Sequence, residues 1–286
     1  MNRLPARPRG RSREPLHSFC LGCALILFPA LTLVSAQESA PADPGWWISL
    51  QAGAGIPDGQ VRVGEPSPST PLGLRDDLGI DSTRTLGLAI AGTFHTRNRL
   101  SFSAESLSLS GSETFDKTVY FDEGSFAPGA SPKSDPRFYL LKAEYARVFG
   151  SPEAVSHWLL LAGIDHAYLD FRIGDQSEDF FRQEVSMPVV GAGWERQTGK
   201  TAVFHAAARG SRFNHLNTGE KEGSTVYLDQ DLLDVWAGWV WKPSPRFRWS
   251  AGYRYFLFSQ TEHSSEDFND FHVRIHGLTG ALSLRF

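Results

Sequence analysis

The chain closes on Leu278-Thr279-Gly280-Ala281-Leu282-Ser283-Leu284-Arg285-Phe286, and the alternation in this stretch decides the fold. Successive side chains of an extended strand point to opposite faces. Leu278, Gly280, Leu282, Leu284 and Phe286 therefore share one face, and Thr279, Ala281, Ser283 and Arg285, with Gly277 before them, share the other. A tilted strand needs about 9–11 residues to cross the hydrocarbon of a bilayer. Leu278 to Phe286 supplies nine.

The preceding segments repeat the pattern. Phe247, Trp249, Ala251, Tyr253, Tyr255 and Leu257 alternate with Arg248, Ser250, Gly252 and Arg254. Leu233, Val235, Ala237, Trp239 and Trp241 alternate with Asp234, Trp236, Gly238 and Val240. A soluble sandwich also alternates, with its apolar face inward. Here the polar set carries full charges and glycines, and aromatics gather at strand ends. This is the apolar-out, polar-in code of a membrane barrel. Ten such segments are expected, at 45–55, 84–95, 99–110, 137–149, 156–173, 184–197, 200–213, 225–242, 246–260 and 271–286. Four tight connections, at 96–98, 150–155, 198–200 and 242–245, alternate with five longer ones at 56–83, 111–136, 174–183, 214–224 and 261–270. The expected fold class is all-β, a transmembrane antiparallel up-and-down β-barrel of about 10 strands. Eight strands follow if a weak pair is miscounted, and 12 if the first two long loops hold strands.

The N-terminus is set apart. Arg3, Arg7, Arg9, Arg11 and Arg13 precede an apolar run from Phe19 to Val34, and Val34-Ser35-Ala36 offers small residues before Gln37. Residues 1–36 read as a secretory signal peptide, and 37–286 as the outer-membrane β-barrel. Cys20 and Cys23 both lie in the signal, so the mature chain has no thiol chemistry. The full chain has 28 Lys and Arg against 32 Asp and Glu; removing five arginines and Glu14 leaves 23 against 31, a net charge of −8. An acidic exported chain has no electrostatic footprint for nucleic acid. The mature part has no apolar run long enough for a helical span, so a membrane role must rest on strands.

An end on Phe286 after an alternating strand resembles the terminal strand of bacterial outer-membrane barrels, and the resemblance implies that Phe286 belongs to an assembly signal. The segment Leu74-Arg75-Asp76-Asp77-Leu78-Gly79-Ile80-Asp81, with residues 111–122 and 277–286, resembles a group of uncharacterised outer-membrane barrels that carry a DDLG element before their second strand. The resemblance implies a barrel in the outer membrane of a Gram-negative cell envelope; the five long and four tight connections, with short turns on the periplasmic side, imply that both termini are periplasmic. The resemblance implies no activity. The partners expected are outer-membrane lipid, lipopolysaccharide and the barrel-assembly machinery, and no cofactor or metal is expected.

Trp46, Trp47, Phe149, Trp158, Trp194, Trp241, Phe247 and Phe286 flank the tight turns and are expected to form an interfacial girdle. With apolar residues facing lipid, the opposite parity faces the lumen: Glu105, Lys142, Glu144, Asp165, His205, Arg209, Asp234, Arg248 and Arg254. Buried charges are costly unless paired, so this balanced set is expected to form a salt-bridge plug. The expected role is structural or loop-displaying. A narrow, porin-like ion or solute channel is the alternative, and a lipid A-modifying or proteolytic barrel enzyme is the third reading. Asp76, Asp77 and Asp81 would suit a hard cation such as Ca²⁺, against the plainer reading of a solvated acidic loop.

Enzyme patterns fit poorly. Omptin proteases use paired aspartates opposite a His–Asp pair, but Asp76 and Asp77 are adjacent and Asp165-His166 must point to opposite faces of one strand. Outer-membrane lipid A deacylases use a His and a Ser two apart with a Glu beyond. His263 and Ser265 have the spacing, but they fall in a polar loop and no Glu follows Asp267, so the orienting acid is missing. His272, Arg274 and His276 form a cationic row above the apolar band that suits lipopolysaccharide phosphates.

Overall fold

The computed structural model describes residues 45–64, 69–95, 97–121, 124–151, 154–174, 180–221, 224–263 and 268–286, with backbone alone at 180–183, 215–221 and 224–226. The expected signal peptide lies outside them. The strands are β1 (Gly45–Arg62), β2 (Leu72–Gly73), β3 (Thr83–Phe94), β4 (Asn98–Leu109), β5 (Gly111–Ser112), β6 (Val119–Phe121), β7 (Gly124–Phe126), β8 (Lys133–Ser134), β9 (Arg137–Phe149), β10 (Ser156–Arg172), β11 (Phe180–Gln197), β12 (Ala202–Lys221), β13 (Ser224–Ser244), β14 (Phe247–His263) and β15 (Phe268–Arg285). Ten of them, β1, β3, β4 and β9 to β15, pair antiparallel in chain order, and β15 returns to β1 to close the barrel. The 10 strands match the expected segments. The short strands in the first two loops form side pairs and do not enlarge the barrel, which removes the 12-strand alternative. No helix among the described residues is long and apolar enough to cross a membrane.

Seven of the barrel strands are far longer than a bilayer requires. β1, β11 and β15 each have 18 residues, β12 has 20 and β13 has 21. The stretches expected as loops at 214–224 and 261–270 are mostly strand: β12 reaches Lys221 before β13 starts at Ser224, and β14 reaches His263 before β15 starts at Phe268. Two shifts of register, between Phe213 and Leu216 and between Asn217 and Gly219, bend the β12–β13 hairpin.

The reason lies in a reversal of polarity along each strand. In the half nearest the short turns, the outward side chains are apolar: Ile48 and Leu50 on β1, Leu86, Leu88 and Ile90 on β3, Leu160 and Ile164 on β10, and Leu278, Leu282 and Leu284 on β15 all lie exposed. Further along the same strands, the outward side chains become Asp58, Gln60 and Arg62 on β1, Ser259, Thr261 and His263 on β14, and Asp270, His272 and Arg274 on β15. The inward side chains there become apolar. Phe256 and Phe258 on β14 and Phe271 and Val273 on β15 are at most 2% exposed. An alternation of apolar-out type stops where the code flips, although the strand continues.

The aromatic girdle forms at the turn end. Trp46, Phe94, Phe149, Trp158 and Phe286 lie exposed there. Phe204 packs edge-on to Trp239 at 5.2 Å, and Trp241 stacks on Trp249 at 4.0 Å. Trp47 does not join it. Odd positions of β1 face inward, and Trp47 is buried under the Arg248 guanidinium, 4.4 Å from its ring.

Candidate functional site in the barrel lumen

The lumen is filled in three layers. At the turn end, Arg99 on β4 reaches across to Glu195 on β11 with two hydrogen bonds of 2.5 and 2.8 Å. Ser49 donates to Ser283 at 2.8 Å, and the His205 ring lies 5.2 Å from that of Trp236. Val148, Leu159 and Leu161 form a small apolar cluster beside them.

The middle layer is a charge network that joins opposite walls. Asp234 on β13 accepts from Arg254 Nε and Nη2, both at 2.8 Å, from Lys142 Nζ at 3.2 Å and from Arg209 Nη2 at 3.3 Å. Glu105 on β4 accepts from Lys142 at 2.7 Å and from Arg254 Nη1 at 2.8 Å. Arg209 grips Asp165 with its fork at 3.0 and 2.9 Å and contacts Glu144 at 3.4 Å. Lys142 and Asp234 stand four strands apart around the barrel, so their ion pair crosses the bore. Paired, forked contacts of this kind are the strong form of the interaction, and each carboxylate left alone here would be a buried charge without compensation.

Above it lies the larger of the two apolar clusters among the described residues. Leu107, Phe138, Leu140, Leu169, Phe171, Phe256, Phe258 and Phe271 point inward from the walls. Val63, Leu72, Leu74, Leu78 and Ile80 from the first long loop, and Phe115, Val119 and Phe121 from the second, fill the space between them. Phe121 lies 5.9 Å from Phe171, and Phe138 lies 4.9 Å from Phe258. Both loops therefore act as a stopper, with each buried side chain contributing about 1.5–3 kcal/mol of burial.

This gives the DDLG segment a physical reading. Leu74 and Leu78 are stopper residues. Asp77 accepts a hydrogen bond of 2.7 Å from the Gly73 amide and so caps the turn it belongs to. Gly79 has φ +63° and its Cα faces the backbone of Ser112; a Cβ on Gly111 would fall 2.3 Å from the Leu78 carbonyl oxygen. Two of the three sequence pieces on which the resemblance rests, 74–81 and 111–122, are thus the two sides of one backbone contact. Asp76, Asp77 and Asp81 do not converge. Asp81 pairs with Arg75 at 3.6 Å, and among the described residues no group of three acids, histidines or cysteines is placed to hold a metal.

Of the nine residues expected in the lumen, seven meet in one network: Glu105, Lys142, Glu144, Asp165, Arg209, Asp234 and Arg254. His205 and Arg248 face inward but belong to the layer below, against Trp236 and Trp47. Arg99 and Glu195 were missing from the set. Both share the inward parity of their strands, and extending that parity to the strand ends would have found them. Phe286 lies at the turn end with its side chain outside, its amide bonded to the Trp46 carbonyl at 3.1 Å.

The other motifs separate as well. Asp165 is fully buried in the lumen, while His166 faces outward and bonds Ser186 at 3.0 Å, so the adjacent acid and histidine cannot cooperate. Ser265 and Asp267 lie outside the described residues. His272 and Arg274 face outward beyond the apolar belt, with Arg274 Nε 2.9 Å from His272 Nε2 and Asp58 in register beside Arg274. The row is therefore less cationic than its sequence.

No protein-family model matches the chain, and no curated protein matches it. Among solved structures, the outer membrane protease OmpT from Escherichia coli matches with a TM-score of 0.53 at 9% identity, covering 84% of this chain and 97% of that one. The transport unit of the autotransporter AIDA-I from Escherichia coli matches at 0.43 and 8% identity, covering 89% and 93%, and Neisserial surface protein A at 0.36 and 10%, covering 85% and 97%. The likeness to OmpT is one of fold: both chains are antiparallel barrels of the outer-membrane type.

Proposed function

We propose that this chain is an exported outer-membrane barrel with a closed lumen, whose role is structural and is exercised through the outer surface and the loop-end head. The observation that carries this reading is the filled bore: a charge network bridges opposite walls, and an apolar core containing two inserted loops lies over it. The apolar belt exposed around the turn-end half supports a membrane location, since so wide an apolar surface calls for a lipid neighbour. In this reading residues 1–36 direct export, residues 37–286 form the barrel, Phe286 belongs to the segment read by the assembly machinery, and both termini lie in the periplasm. Outer-membrane lipid and lipopolysaccharide are the surrounding partners.

Single-channel recording of the refolded barrel in a planar bilayer tests it. The wild type is expected to be silent. Arg209→Ala with Asp234→Ala, which opens the network, still leaves the apolar stopper above. Only that pair combined with Gly79→Val, which displaces the first loop, is expected to conduct. Discrete steps in the wild type would instead support the narrow channel.

A further inference from the structure

We propose that the outer face of β3, β4, β9 and β10 is a binding site for one phosphate-bearing acyl lipid of the surrounding leaflet. The inference rests on the membrane location proposed above.

The hydrogen-bonded registers align this face in rows. Ile90, Phe102, Ala143 and Ile164 form one row, and Leu88, Ala104, Leu141 and His166 the next, continued by Ser186 on β11. Two residues further toward the loop end come Leu86, Ser106, Tyr139 and Tyr168, and two further again Arg84, Ser108, Arg137 and Asp170. The face thus grades from apolar through a polar pair and aromatics to cations.

Its apolar part is a groove. Ala104 and Ala143 form a low floor between Leu88, Ile90 and Phe102 on one side and Leu141 and Ile164 on the other, a shallow groove of about 540 Å³ open on its outer side. An acyl chain matches a trough that opens onto hydrocarbon along its length. His166 closes the groove at the loop end, where its Nδ1 shares a hydrogen bond of 3.0 Å with Ser186 Oγ. Polar groups facing lipid are costly, and this pair satisfies only part of its capacity internally. The free imidazole nitrogen and the hydroxyl lone pairs sit where a carbonyl or hydroxyl at the head of the chain would lie. Tyr139 and Tyr168 follow, with ring centroids 5.8 Å apart. Amphipathic rings of this kind mark headgroup level.

Arg84 and Arg137 complete the site. Both are exposed, and neither has a hydrogen bond or ion pair among the described residues. Asp170, in register with Arg137, is occupied by the Arg172 fork at 2.9 and 3.0 Å. Two strand spacings, about 10 Å, separate the arginine backbones, a gap that long side chains close around one phosphate. Guanidinium is the side chain best matched to that group. The strand backbone offers no free amide donors, so the groove fits binding and not acyl transfer, which needs an oxyanion site.

The test uses the full barrel refolded into phosphatidylcholine vesicles doped with either phosphatidylglycerol or diacylglycerol, followed by native mass spectrometry of lipid retained in mild detergent. One phosphatidylglycerol per barrel is expected, with diacylglycerol left behind. Arg84→Ala with Arg137→Ala should lower retention at least about tenfold, the loss of a charge-assisted contact. Ala143→Trp, which fills the groove, should abolish it, and Arg212→Ala, on another face and paired with Asp231 at 3.4 Å, should leave it unchanged. Equal retention by all variants, equal retention of diacylglycerol, or a dimer that buries the groove would overturn the site. Failure of the wild type to insert would overturn the membrane reading instead.

Discussion

The two halves of the barrel obey opposite rules on the same strands. On β14, the turn-end half places Trp249, Ala251 and Tyr253 outside and Arg248, Ser250 and Arg254 inside; the loop-end half places Ser259 and Thr261 outside and Phe256 and Phe258 inside. The backbone pattern is the same throughout. The surroundings differ: lipid in the membrane reading of the first half, water around the second. Alternation alone therefore identifies a strand, and the sign of the alternation identifies its solvent.

Substitutions can break this contrast at several strengths. The largest effect is expected from the hubs of the two interiors. Asp234→Ala leaves three cations of the network short of a partner and should cost about 3–5 kcal/mol. Phe258→Ala, its counterpart in the apolar interior, should cost a similar amount, about 3–5 kcal/mol. Denaturant unfolding in detergent compares them, and a small loss for Asp234→Ala would show the network to be dispensable.

Next in size is one substitution made on the outer face of each half. Leu278→Arg, 72% exposed within the belt, should cost about 2–4 kcal/mol when folding is measured in bilayers. Ser259→Arg, outward on the extension, should stay within about 0.5 kcal/mol. Equal effects would abolish the distinction between the halves. A smaller loss, about 1–3 kcal/mol, is expected for Gly111→Ala, where the added Cβ meets the Leu78 carbonyl and parts the two stopper loops. Limited proteolysis of the loops would report it.

The smallest effect concerns His272, outside the apolar belt. Burial, with Arg274 as the next cause, lowers its pKa from 6.5. The folded state then binds fewer protons than the unfolded one, so its contribution is full above the unfolded value and is lost as pH falls through the folded value. A slight loss of stability on acidification below about 6.5 is expected, absent in His272→Gln. Identical pH profiles for both proteins would remove the assignment.

Much of the candidate site was legible in the sequence because lumen parity follows from strand parity. Glu105, Lys142, Glu144, Asp165, Arg209, Asp234 and Arg254 each occupy the inward position of a segment whose outward residues are apolar. Which of them meet was not legible, since strand stagger around a closed barrel sets the depth of each charge. Arg248 and His205 share the parity yet sit a layer lower. The groove was hidden for a related reason: Ala104, Leu141 and His166 are distant in sequence and meet only through two successive registers.

Local chemistry thus determined the strands, their number, the tight turns and the outward face of the belt, because period 2 and a change of solvent are written residue by residue. The tertiary structure decided the rest. It set which charges pair across the bore, carried the DDLG turn inward as half of a stopper, and extended the β10–β11, β12–β13 and β14–β15 hairpins past the belt. Those outcomes depend on closing β15 against β1, an event no single segment encodes, and closure fixes the register from which every cross-lumen distance follows.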